Sequence, residues 1–131
     1  MLTIPNRFLE ILKTNPNFQG IVIKTAHDYS TIIENSEFEF FPDYTDHRIA
    51  HLNRVLETCE FIIEEQTYSH ISAEDVAVLI LSVLLHDIGM HITHEGLMSI
   101  LESDSRIDSF DQLSWSEVWE KYFQEVKRMN E

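Results

Sequence analysis

The feature that most constrains this chain is the run Val76 to Leu85, ten residues in which Ser82 alone is polar. It is about half the length a membrane span requires, so it reads as a helix buried in a protein interior, apolar on nearly all sides. Ser72 followed by Asp75 forms the capping-box pattern that opens such a helix. His86-Asp87-Ile88-Gly89 closes it, with Gly89 expected to let the backbone turn. A central apolar helix needs other helices around it, and the rest of the 131 residues supplies them. Only 3 Gly and 3 Pro are present, too few for the frequent turns of an all-β fold. The expectation is an all-α bundle forming a single domain over 1–131.

Pro5 opens a short helix to about Thr14, with Phe8, Leu9, Ile11 and Leu12 as its apolar members. Asn15-Pro16-Asn17 breaks it. A second helix is expected over Phe18 to Asn35, burying Ile21, Val22, Tyr29, Ile32 and Ile33, although Ile21-Val22-Ile23 also fits a strand. Residues 36–46, SEFEFFPDYTD, read as an irregular aromatic loop. A long helix follows to about Gln66. On a wheel of about 100° per residue, Ile49, Val55, Leu56, Cys59, Ile62 and Ile63 fall within about 80° of Leu52. Thr93 caps a short helix through Leu101, and a polar loop from Glu102 to Gln112 carries Asp104, Asp108 and Asp111. Ser114 with Glu117 is a second capping box. The amphipathic helix 115–130 that it opens shows a stripe of Trp115, Val118, Trp119, Tyr122, Phe123, Val126 and Met129. A face that wide calls for further helices or a partner.

Asp and Glu outnumber Lys and Arg by 23 to 9, giving a formal charge of −14. Such a field repels phosphate backbones, and no basic stripe relieves it, so extended nucleic acid is excluded as a partner. A small phosphorylated molecule remains compatible if a cation sits in the site. A single cysteine, Cys59, allows no disulfide framework within the chain and suits a reducing compartment. The N-terminus lacks a signal pattern, and a cytoplasmic protein without membrane attachment is expected.

Seven histidines accompany this acidity: His27, His47, His51, His70, His86, His91 and His94. His51 lies only about 20° beyond the apolar stripe of its helix, whereas His47 falls further out. Position alone favours reading His51 as a boundary histidine bonded to a carbonyl, with metal ligation as the sharper alternative. Asp87 carries more information. A carboxylate directly after an apolar helix is costly to bury unless it is paired or bound to a cation. Neighbouring helical residues diverge by about 100°, so His86 and Asp87 converge on one ion only at a helix edge or end. His27-Asp28 repeats the dipeptide, but neither a buried helix nor a break flanks it, and it reads as solvated.

Residues 43–56, DYTDHRIAHLNRVL, followed by 79–90, LILSVLLHDIGM, resemble the HD superfamily of metal-dependent phosphohydrolases. The likeness is close over about 43 to 90 and loose on the flanks. It rests on the H-x-x-R-V stretch His51 to Val55 and on LLHDIG at 84–89. The resemblance implies an HD-domain-like helical bundle in which His51, His86 and Asp87 are metal ligands, with Asp87 and His86 in the catalytic role. It further implies a divalent transition metal, with Fe, Mn, Zn, Ni or Co equally suited to such donors. The chemistry implied is hydrolysis of a phosphoester or nucleotide, the ion acidifying a water and polarising a phosphoryl oxygen. His91 and His94 are expected to flank the next helix rather than ligate. Arg48 and Arg54 could steer phosphate, but pairing with the glutamates of their helix is favoured.

The family's last ligand is an aspartate on a later helix. Asp104, Asp108 and Asp111 are too close and lie in a loop, and 115–130 contains no aspartate. The bundle is therefore expected to be incomplete at its C-terminal end. Either it is the leading part of a longer protein, or it is a natural short form, or a loop aspartate folds back. Two functions follow: an HD-type phosphohydrolase domain, or a catalytically inactive HD-like module that binds a nucleotide or a protein. A homo-oligomer, or docking onto further domains, is expected in either case.

Overall fold

The computed structural model describes residues 2–102 and 113–129, and among them there are helices and no strands. They fall into two compact units, Met1–His91 and Ile92–Glu131. In the first unit α1 spans Asn6–Leu12, α2 Pro16–Asn35, α3 Ile49–Ile62 and α4 Ala73–Leu85, with 3-10 turns at Thr67–Ser69 and Ile88–His91.

Helix α4 is the axis of this unit and touches α1, α2 and α3. Its start is fixed as the sequence reads. The Ser72 hydroxyl accepts from the Asp75 N–H at 3.2 Å, and the Asp75 carboxylate accepts from the Ser72 N–H at 2.9 Å. Val76, Ala77, Ile80, Val83 and Leu84 are buried, against Phe8 and Leu12 of α1, Val22 and Ile33 of α2, and Leu52 and Leu56 of α3. The apolar run spends most of itself on three neighbours at once, and it is not buried all round as expected: Val78, 59% exposed, and Ser82 one turn later form its open face.

Helix α2 is a helix throughout, but it buries less than expected. Val22 and Ile33 are 0% and 1% exposed, whereas Ile21 and Ile32 are 51% and 50% exposed. Each pair is separated by eleven residues, three helical turns, so each lies on one line along the rod. The two lines stand about 100° apart, and the shallow contact with the core covers one of them. Asn15 and Pro16 also do more than break α1. The Asn15 side chain accepts from the Asn17 and Phe18 N–H groups, and Pro16 takes the first helical position, so α2 starts there rather than at Phe18.

Helix α3 is shorter at its end than expected, stopping at Ile62. Past α4, the chain turns through Ile88–His91 with no glycine at positive φ, and a Cβ on Gly89 would meet nothing within 4 Å. A 3-10 turn open to any residue does the work expected of Gly89.

In the second unit α5 spans His94–Glu102 and α6 Trp115–Met129, and the two pack on each other. Thr93 caps α5 by accepting from the Gly96 N–H at 3.0 Å. Ser114 and Glu117 form the second capping box, with contacts of 2.7 and 3.3 Å. The loop aspartates Asp104, Asp108 and Asp111 lie outside the described residues. Among the described residues no single helix is long and apolar enough to cross a membrane.

Candidate metal centre

The site is built where α4 ends. His86 is the C-cap residue, its N–H still bonded to Ser82, and Asp87 is the first residue beyond it. The end of the helix thus resolves the divergence of adjacent side chains. His86 Nε2 lies 2.8 Å from Asp87 Oδ2. The last carbonyls of a helix carry partial negative charge, which favours a cation at this end.

Asp87 Oδ2 also meets His47 Nδ1 at 2.7 Å and His51 Nε2 at 3.8 Å. The His47 and His51 rings are 4.8 Å apart, and those of His51 and His86 5.7 Å. Three imidazoles therefore converge on one carboxylate oxygen. The Asp87 side chain is 21% exposed, so the cluster sits in a wall of the fold with one side open.

All three residues expected as ligands, His51, His86 and Asp87, are brought together. His47 joins them against expectation. The wheel that placed it outside assumed that α3 already included it. Instead Asp46 ends the helical register: its carboxylate accepts from the Arg48 N–H at 3.0 Å, and Arg48 is extended, with ψ −170°. His47 thus precedes the helix and is free to turn toward Asp87. An aspartate two residues before a helical pattern was the signal available in the sequence.

The donor chemistry fits a cation. His86 Nδ1–H donates to the Val83 carbonyl at 2.7 Å, which leaves Nε2 with the lone pair. That lone pair faces a carboxylate oxygen at contact distance, so the pair needs a proton or a metal between them. His51 is shifted down from its ordinary pKa by burial first and by neighbouring His47 second, against the pull of Asp87. It therefore stays neutral near pH 7, the form that ligates. Around an ion with bonds of about 2.1 Å, donors stand about 3.0–3.4 Å apart in adjacent positions and about 4.2 Å when opposite. The donor atoms of His47, His51 and Asp87 lie within 4.8 Å of one another, a looser spacing that an ion would draw in. His86 is not part of that mutual set, although it touches Asp87.

The remaining candidates are employed elsewhere. Arg48 donates from Nε and Nη2 to the Ser36 carbonyl at 3.1 and 2.7 Å, and its guanidinium lies 5.2 Å from the Phe38 ring centre. Arg54 donates to the Ala50 carbonyl of its own helix at 3.3 Å. Neither makes the expected glutamate pair. Glu65 instead binds Arg7 at 2.6 Å. His91 is buried with its Nδ1 lacking a hydrogen-bond partner, its ring 5.0 Å from Phe38. Burial lowers its pKa, partly offset by a hydrogen bond to the His47 backbone. His94 opens α5, as expected.

A helical fold with histidines and an aspartate gathered at the end of its central helix is what the resemblance to the HD superfamily implied. Residues 41–131 match the model of the HD-CE family, well over half of the chain, and the chain belongs to that HD-related family. No curated protein and no solved structure matches it.

Proposed function

We propose that this chain is an HD-type metal-dependent phosphohydrolase domain acting on a small phosphoester or nucleotide. The observation that carries the reading is the meeting of three imidazoles on Asp87 Oδ2. His51, His86 and Asp87 would hold a divalent transition metal. When bound, such an ion supplies Lewis-acid polarisation of a phosphoryl oxygen and an acidified water.

The residues of the chain prepare that chemistry. Asp87 offsets cationic charge, the Val83 carbonyl fixes the His86 tautomer, and burial keeps His51 neutral. The exposed side of the cluster leaves room for a substrate. The charge of −14 disfavours long polyanions and restricts the site to small ones. The domain works as one HD-like unit over 1–131, in the cytoplasm, and assembles through its last helix.

The test is metal analysis of the purified protein, followed by hydrolysis assays on p-nitrophenyl phosphate, its bis ester and a nucleotide panel with Mn, Fe, Co, Ni and Zn. Turnover by wild type that disappears in Asp87→Ala is expected. A protein that takes up none of these metals removes the reading. One observation favours a second reading, a catalytically silent module that binds a nucleotide or a protein: Trp115, Trp119 and Phe123 on α6 are 47%, 43% and 49% exposed. Stoichiometric metal without turnover on any substrate, together with concentration-dependent association in light scattering, would favour it.

A further inference from the structure

The H-x-x-R-V and His-Asp motifs supply three donors to the proposed metal site, His51, His86 and Asp87. We propose that His47 joins them, so that His47, His51, His86 and Asp87 together hold the ion. This rests on the proposed metal site and adds to it a residue that the H-x-x-R-V and His-Asp motifs do not contain.

Three observations carry it. His47 Nδ1 lies 2.7 Å from Asp87 Oδ2, a hydrogen-bond contact that need open only to about 3.0 Å for an ion to replace the proton, and His51 Nε2 lies 3.8 Å from the same oxygen. His47, His51 and Asp87 form the group whose donor atoms are mutually close. The far nitrogen of His47 is provided for as well: Nε2 lies 3.2 Å from Thr45 Oγ1. With Nε2–H donating to that hydroxyl, Nδ1 would turn its lone pair to an ion that takes the place of the proton now lying between it and Asp87 Oδ2. This is the outer-shell arrangement that orients a ligating histidine, and the Val83 carbonyl provides the same for His86.

His47 is also held in place by more than its own ring. Arg48, the next residue, is fastened to the Ser36 carbonyl and lies over the Phe38 ring, and that ring packs on buried His91. Phe38 adopts φ 53°, the left-handed region that a bulky residue enters only where its surroundings impose it. The stack Arg48–Phe38–His91 thus ties the segment before α3 to the turn after Asp87.

The test uses cobalt(II) and the full chain. Calorimetric titration should show His47→Ala weakening cobalt binding by at least about 100-fold, beyond the 10–100-fold of outer-shell changes, while Asp104→Asn/Asp108→Asn/Asp111→Asn together stay within about threefold of wild type. His47→Cys supplies a spectroscopic readout that does not depend on affinity. A thiolate at position 47 should add a near-ultraviolet sulfur-to-cobalt charge-transfer band, against wild type, which already contains Cys59, as blank. If wild type binds cobalt and His47→Cys shows no such band, or if the triple aspartate variant loses binding while His47→Ala keeps it, His47 is only a hydrogen-bond partner of Asp87 and the inference falls alone. If wild type binds no cobalt, it falls together with the metal reading.

Discussion

The chain contains the dipeptide His-Asp twice, and the two copies have opposite fates. His27-Asp28 sits in the middle of α2 on an exposed face, where Asp28 pairs with Lys24 one turn earlier. His86-Asp87 sits at the last turn of α4, where the side chains leave the rod together and meet two more imidazoles. In the first copy, water and a lysine satisfy the carboxylate at little net gain. In the second, where the carboxylate is 21% exposed, three imidazoles meet it and take over most of that task. What distinguishes a site from a surface pair is the helix that carries it and the point at which that helix stops.

The sharpest way to break this comparison is to neutralise each carboxylate. Asp87→Asn should reduce metal affinity by more than about 100-fold, and Asp28→Asn should leave it unchanged, as read by calorimetry. Equal effects would show that the contrast between the copies is false. The helices themselves can be compared next. Leu84→Ala, beside the site and 1% exposed, should cost about 2–5 kcal/mol in urea unfolding, whereas Ile23→Ala on the open face of α2 should stay within about 0.5 kcal/mol.

A smaller effect lies in pH. Burial holds the folded-state pKa values of His51 and His91 below the ordinary 6.5, so the unfolded chain takes up protons first as pH falls. Stability is therefore full above about 6.5 and declines below it, and the urea midpoint of chelator-treated protein should drop between about pH 7.5 and about pH 5.5. His91→Gln should make that decline shallower. Smallest are the caps: Asn15→Ala under α2 and Ser72→Ala under α4 should each cost about 1 kcal/mol, and a marked inequality would show that one helix is held mainly by its neighbours.

Much of this architecture was legible in the sequence. Both capping boxes and the apolar axis at 76–85 follow from local chemistry that tertiary contacts leave intact, whereas the meeting of His51, His86 and Asp87 was implied by the resemblance to the HD superfamily and not by their positions. His47 was not legible, because a helical wheel presumes a register that Asp46 and Arg48 interrupt. The arginines misled for a related reason. A carbonyl in the loop at Ser36 is invisible to periodicity, yet it satisfies Arg48 more fully than a surface glutamate would. The exposure of Ile21 and Ile32 depended on how much of α2 its neighbours cover, a property of the packed assembly rather than of the helix.

The placement of Phe38 has a kinetic consequence. Asp87 and His86 are rooted in the element that should exchange its amide hydrogens slowest, while His47 rides on the irregular segment between α2 and α3. Opening of residues 36–48 should be far more frequent than opening of α4. Entry and escape of an ion would then follow the breathing of that segment, and Phe38→Gly, which removes a ring only 8% exposed together with its contacts to Arg48 and His91, should raise the off-rate and lower the melting temperature together.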